Sequence, residues 1–208
     1  MASFDTAYNL VKRSEGGYQA MPEDKGNYNS LGELVGTNWG VSAPKYERLI
    51  GRPPSKLDMQ NMPDWRAKQA FKADEWNRIK GDTIDNQELA NIFFDGVVNH
   101  GRGVWLMQDV LGVTKDNKFG SETHNAILKA DQKKLHDAYK QRRIKYYNQI
   151  VENDPTQKRF LKGWLNRINS FADQFFTTIK NNPTSSASAL IIPGIIAYAI
   201  YRSAKKAA

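Results

Sequence analysis

The chain has no cysteine. That excludes a small secreted scaffold stapled by disulfides, and any zinc or iron–sulfur centre held by thiolates. Histidine is almost as scarce. His100, His124 and His136 are scattered without the spacing that metal ligands need, so neither a metal nor another cofactor is expected. No apolar run reaches the about 20 residues of a membrane-spanning helix. The longest, Ala189–Tyr201, is 13 residues and is interrupted by Pro193–Gly194. The opening MASFDTAYNLVKR has no basic start followed by an apolar stretch, so it does not read as a secretory signal, and synthesis in the cytoplasm is expected. No internal repeat and no long alternating run is present, which argues against a large sheet.

What is present is a globular composition, 40% hydrophobic and 25% charged over 208 residues, enough chain for a real core. The net charge of +8 is uneven. Residues 129–208 hold 15 Lys and Arg against 5 Asp and Glu, whereas residues 1–128 are close to neutral. A basic C-terminal part suits a polyanionic surface, and a solvated helical surface accounts for it equally. No recognition-helix pattern or stacking motif accompanies it, so nucleic acid is not expected as a partner.

The periodicity is helical almost throughout. Phe4, Ala7, Tyr8 and Val11 share one face of a first helix with Ser3 as its cap, and Gly16–Gly17 should stop it near Ser14–Glu15. Residues 18–41 show no helical period and read as a loop or small irregular hairpin. Ser42 and Gly51 bracket a short helix. Asp64 opens one that runs through Trp65, Phe71, Trp76 and Ile79, and Asp85 with Glu88 forms a capping box before Leu89. Further helices are expected at 103–111, after Ser121, and through Leu135, Tyr139 and Tyr146. Asp154–Pro155 should open a last one, with Leu161, Trp164, Leu165, Ile168, Ala172, Phe175 and Ile179 on one stripe.

The stretch SEGGYQAMPEDKG at 14–26 carries the chemical question. A carboxyl at a helix C-terminus meets the negative end of the dipole, and partial burial adds a desolvation cost of the same sign. Both favour the neutral acid, which is what a proton donor needs near neutral pH. Glu15 is therefore a candidate general acid; the plainer reading is a surface turn beside two glycines.

The neighbours sharpen this. Glu15-Gly16-Gly17-Tyr18, then Asp24 and Gly26, then Thr37-Asn38-Trp39-Gly40-Val41-Ser42 resemble the N-terminal signature of glycoside hydrolase family 108, the N-acetylmuramidases of phages and bacteria. The resemblance continues through Trp76 in EWNRIKGD, through Asp95, Val98, Asn99 and Gly101 in FFDGVVNHG, and through Gln108, Leu111, Gly112, Asp116, Gly120 and Thr123. It ends on Phe160, Gly163, Trp164 and Arg167. Departures are Gly26-Asn27 where the family has Gly-Gly, an added stretch within 28–36, Met107 for Leu and Ser121 for Pro. The nine positions from Glu15 to Asp24 also resemble the Glu/Asp/Thr phage lysozymes.

The resemblance implies a mainly α fold, a lysozyme-like helical bundle with a small irregular loop or hairpin near the active site. It implies a catalytic region at 1–84, a helical peptidoglycan-binding region at 85–180, and an appended linker and hydrophobic, basic-ended tail at 181–208. It implies cleavage of the β-1,4 bond between N-acetylmuramic acid and N-acetylglucosamine, with Glu15 as acid, Asp24 as charge stabiliser or base, and Thr37 as a water-positioning hydroxyl. Tyr18, Trp39 and Trp76 are candidates to stack on sugars and Asn99 to contact them; for the three aromatics, core packing is the plainer reading. Bacterial peptidoglycan is the expected partner, met at the periplasm or cell wall after release or delivery by a phage or secretion device, with a membrane or protein partner for residues 189–206. A lytic transglycosylase and a non-catalytic wall-binding component of such a device are the alternatives.

Overall fold

The computed structural model describes residues 1–12 and 16–175. Arg13–Glu15 and 176–208 lie outside the described residues, and with them the foreseen end of the first helix, the linker and the apolar tail. The chain divides into two compact units, Met1–Gln132 and a second beginning at Lys133. Both are helical.

In the first unit, α1 (Phe4–Lys12) buries Phe4, Ala7, Tyr8 and Val11, the face its spacing predicts. The loop that follows is irregular. Strand-like pairing among the described residues is limited to three isolated bridges, Gln19–Thr37, Tyr28–Leu34 and Asn38–Val41. Next come α2 (Ala43–Ile50), which Gly51 closes at φ +72°, and α3 (Lys56–Gln60). The latter was not foreseen, because five residues are too few to show a period. A reciprocal capping box between Ser55 and Asp58 fixes it instead.

The helix foreseen from Asp64 to Ile79 is two pieces. α4 (Asp64–Phe71) keeps the ordinary pitch. A widened turn then spans Lys72–Trp76, with the Asn77 N–H donating to the Lys72 carbonyl five residues back. This turn sets Asp74 and Glu75 against α2, where Arg48 meets Asp74 at 2.5 Å and Lys45 meets Glu75 at 2.6 Å. Lys45 also lies 3.7 Å from the centre of the Phe71 ring. Burial pushes the Lys45 ammonium down and the Glu75 carboxyl up, each partly offset by the other's charge.

α5 (Gln87–Asn99), α6 (Gly103–Leu111) and α7 (Ser121–Lys129) complete the unit. Their caps differ from expectation by one residue. Asn86, not Asp85, accepts the Leu89 N–H at 2.8 Å, and Gly120, not Ser121, precedes the first turn of α7. In the second unit, α8 begins at the boundary and runs Gln132–Asn153. Asp154 caps a tight 3-10 turn, Pro155–Gln157, rather than the helix itself. α9 then spans Lys158–Asn169. It ends before Ala172 and Phe175, so those two do not extend its stripe, and Ile179 lies outside the described residues.

The core of the first unit is a cluster of five rings from three parts of the chain. Phe4 packs at 5.6 Å from Trp76 and 5.8 Å from Phe94, and Trp76 meets Phe94 edge-on at 5.6 Å. Tyr8 and Phe71 close the ring of contacts. Trp76 is fully buried, with its indole N–H satisfied by Asp82 at 2.8 Å. Gly81 lies flat against it, since a β-carbon there would fall 2.3 Å from the indole. Replacing Trp76 by Ala should therefore cost about 3–5 kcal/mol, read as a lowered midpoint in urea denaturation. A loss below about 1 kcal/mol would mean that the cluster is not the centre of this core.

Candidate active site

The loop after α1 places the predicted site residues. Its organiser is Gln19, one residue past the Gly-Gly-Tyr string. Backbone bonds in both directions, at 2.9 and 2.8 Å, pair Gln19 with Thr37. Its side-chain amide donates to Asp24 Oδ2 at 3.3 Å and to Asn27 Oδ1 at 3.1 Å, and its carbonyl accepts from Asn27 Nδ2 and from the Met21 N–H. One residue thus gathers Asp24, through its side chain, and Thr37, through its backbone, thirteen positions apart. Asn27, which stands where the resembling family has glycine, is fully buried. It reciprocates the Gln19 amide and donates to the Met21 carbonyl at 2.9 Å. Its own carbonyl accepts the N–H groups of Val35 and Gly36.

Asp24 is exposed. Its Oδ1 accepts the Gly26 N–H at 2.8 Å, so the carboxylate caps the 3-10 turn Lys25–Asn27 while facing solvent. Thr37 is half-buried, and its hydroxyl has no hydrogen-bond partner among the described residues. Tyr18 leans over the loop and donates to the Val35 carbonyl at 3.1 Å. Gly36 makes room for it: at φ +94°, with a would-be β-carbon 2.5 Å from the Tyr18 ring, no other residue fits.

Trp39 sits half-buried at φ +52°, a region that residues with a β-carbon seldom occupy. Its indole donates to the Met62 carbonyl at 3.0 Å, and Lys12 lies 5.2 Å from its ring centre. Lys12 in turn bonds Asp64 at 2.8 Å, and Tyr8 donates to the same carboxylate oxygen at 3.1 Å. The last described turn of α1 is thus tied to the start of α4 and to Trp39. Glu15, three residues further on in sequence, lies outside the described residues. Beside Asp64, Trp65 is 58% exposed.

The other two predicted contacts are not gathered here. Trp76 is a correction: its indole is enclosed by Phe4, Phe94 and Asp82 and offers no face to a sugar. Asn99 is exposed at the end of α5 and spends its amide on the Asp95 carbonyl at 2.7 Å. Gln19, Asn27, Lys12 and Asp64 were not foreseen as site residues. Only the Asn27 departure from a Gly-Gly string marked one of them in the sequence.

The ties make two expectations. Gln19→Ala leaves the buried Asn27 side chain short of its partners, which should cost about 1–3 kcal/mol in urea unfolding; an unchanged midpoint would mean that Gln19 organises nothing. The second concerns acid. The Lys12 ammonium, then the Tyr8 hydroxyl, hold the Asp64 carboxyl below its ordinary range. Between the folded and unfolded values the unfolded chain binds more protons, so stability rises with pH there. The contribution is complete above about pH 4, the ordinary aspartate value, and is lost as pH falls through the folded value. Asp64→Asn should therefore lower the melting temperature at pH 7 and lose that effect towards pH 3. An equal loss at both would remove the charge from the account.

Two family patterns match in tandem: Glycosyl hydrolase 108 over residues 8–101 and Predicted Peptidoglycan domain over residues 102–169. No curated protein matches the sequence. Among solved structures, SagA of Brucella abortus is similar at 25% identity and a TM-score of 0.64, over 81% of this chain and 90% of that one. The helical architecture and the two tandem matches agree. A glycosyl hydrolase family 108 region at residues 8–101 is followed in sequence by a peptidoglycan-binding region at 102–169, and the protein is a glycoside hydrolase that acts on peptidoglycan.

Proposed function

We propose that the enzyme is an N-acetylmuramidase that hydrolyses the β-1,4 bond between N-acetylmuramic acid and N-acetylglucosamine, with Glu15 as proton donor. The observation that carries this reading is the grouping of Asp24 and Thr37 on Gln19, in the loop that follows Glu15 in sequence. Glu15 gives its proton to the glycosidic oxygen as the bond to the anomeric carbon breaks. Positive charge develops on the ring, and the Asp24 carboxylate, exposed and held by the Gly26 N–H, offsets it. The Thr37 hydroxyl holds the water that adds to the anomeric carbon, and Asp24 takes the proton that this water releases. The outcome is inversion, because water rather than a carboxylate attacks. Trp39, whose ring is backed by Lys12, and Tyr18 offer aromatic surface for the sugar.

A lytic transglycosylase needs an acid but no water. The Thr37 hydroxyl, which has no partner among the described residues, supports the hydrolytic reading. The apolar, basic-ended run at 189–206 is read, from its sequence alone, as a targeting addition that brings the enzyme to a membrane or to a phage or secretion device.

Glu15→Gln should keep the fold and reduce the clearing of purified cell walls by about a hundredfold or more, the usual value of a positioned acid. Activity within a few-fold of wild type would remove Glu15 from the mechanism. Mass spectrometry of wild-type products should show reducing ends; 1,6-anhydro ends would replace hydrolysis by transglycosylation.

A further inference from the structure

The second unit carries three rings in a row. Tyr147 of α8 packs at 5.5 Å and 32° against Trp164 of α9, and Trp164 stacks at 6.0 Å and 28° on Phe160, one turn earlier. The base of this ladder is fixed, because Tyr147 is buried and its hydroxyl accepts from Arg143 at 2.7 Å. Its outer end is open: Phe160 is 43% exposed. A core stripe would bury such a ring.

Gly163 stands three residues after Phe160 and borders it on α9, on the side away from Trp164, which flanks Phe160 one turn on. It is exposed, and a β-carbon built on it meets nothing within 4 Å. A glycine in an exposed helix interior weakens the helix relative to alanine. Here no neighbour among the described residues requires it. Its effect is to leave the surface beside Phe160 open.

The charges carried by α9 have one sign. Lys158, Arg159 and Lys162 are exposed on α9, which has no acidic residue, and the Arg159 guanidinium lies 4.6 Å from the Phe160 ring centre. A flat aromatic platform flanked by cations suits a ligand with broad apolar faces and carboxylates along its length. Peptidoglycan strands have both: pyranose rings present C–H faces to aromatic rings, and lactyl groups and stem peptides carry the acids.

We infer that Phe160, Trp164 and the open surface at Gly163 form a glycan-stacking platform that holds a peptidoglycan strand. This rests on the reading of the chain as a peptidoglycan hydrolase and gives its wall-binding region a specific face, within the span matched to the Predicted Peptidoglycan domain. The Tyr147 contact fixes the rings before the strand arrives, so little side-chain freedom is lost on binding.

The test is co-sedimentation of the full-length protein with purified, protein-free cell walls, on ice. Phe160→Ala should weaken binding about tenfold, the scale of one lost stacking contact with its buried area. Gly163→Gln is the sharper variant. It suits a helix better than glycine and clashes with nothing, so its melting temperature should stay equal or rise while its wall affinity falls by a similar factor. Wild-type binding retained in both variants overturns the platform. So does a loss seen only with vesicles containing anionic phospholipid, which would assign the face to a membrane. Wild type that binds walls but releases no sugar ends sinks the hydrolase reading and leaves the platform standing.

Discussion

The contact between Phe4, Trp76 and Phe94 is the constraint on which the first unit depends. These rings come from α1, from the widened turn after α4 and from α5, so their meeting fixes three parts of the chain at once. Buried aromatic area of this size dominates the energetics of a small core. Two polar features sit at its edge. The Asp82 carboxylate satisfies the one indole N–H that the cluster buries, and the Lys45–Glu75 pair sits against Phe71 at its edge. Phe4 and Tyr8 hold α1 in place by apolar packing.

The loop is built on a different principle. It has no ladder of strand pairs and little apolar area. Its shape comes from side-chain amides standing in for backbone: Gln19 and Asn27 bridge its two limbs, and Asn29 binds Glu33 and the Pro54 carbonyl across the added stretch. Amide networks of this kind are strong only when every member is satisfied. Here they leave the Asp24 carboxylate exposed on a frame of hydrogen-bonded side chains, and surface loops of this kind are where function concentrates. The positive φ of Trp39 fits the same logic: a strained backbone is kept in place by the Met62 and Lys12 contacts on either side of it.

Much of this was legible in the sequence. The buried face of α1, the closing glycines at 51 and 112 and the irregular character of 18–41 follow from period and punctuation alone. The family followed from separated strings in the right order. What could not be read was what depends on distant partners. Whether Trp76 stacks on sugar or fills the core is decided by Phe4 and Phe94, many residues away. The break after Phe71 leaves no mark on helical periodicity, because a widened turn shifts the phase without changing the residue types. Gln19 is invisible for a related reason: a lone glutamine has no period and no motif, and its importance arises only when both limbs of the loop are in place. The 3-10 turn before α9 was hidden because Asp-Pro signals the start of any helical turn, tight or regular.

The widened turn at Lys72–Trp76 also has a consequence for how this chain tolerates change in length. An ordinary helix advances about 100° per residue. The extra residue held in the wide turn rotates everything beyond it by that amount, and it is this offset that aims Trp76 into the ring cluster. A single-residue deletion between Lys72 and Glu75 would restore a regular helix, a locally more comfortable state, and would swing the indole out of register with Phe4, Phe94 and Asp82. Length variation in this enzyme is thus filtered by phase: the exposed tip of the added stretch, residues 30–33, can lengthen or shorten, while a segment of the same helical appearance forty residues on must keep its count.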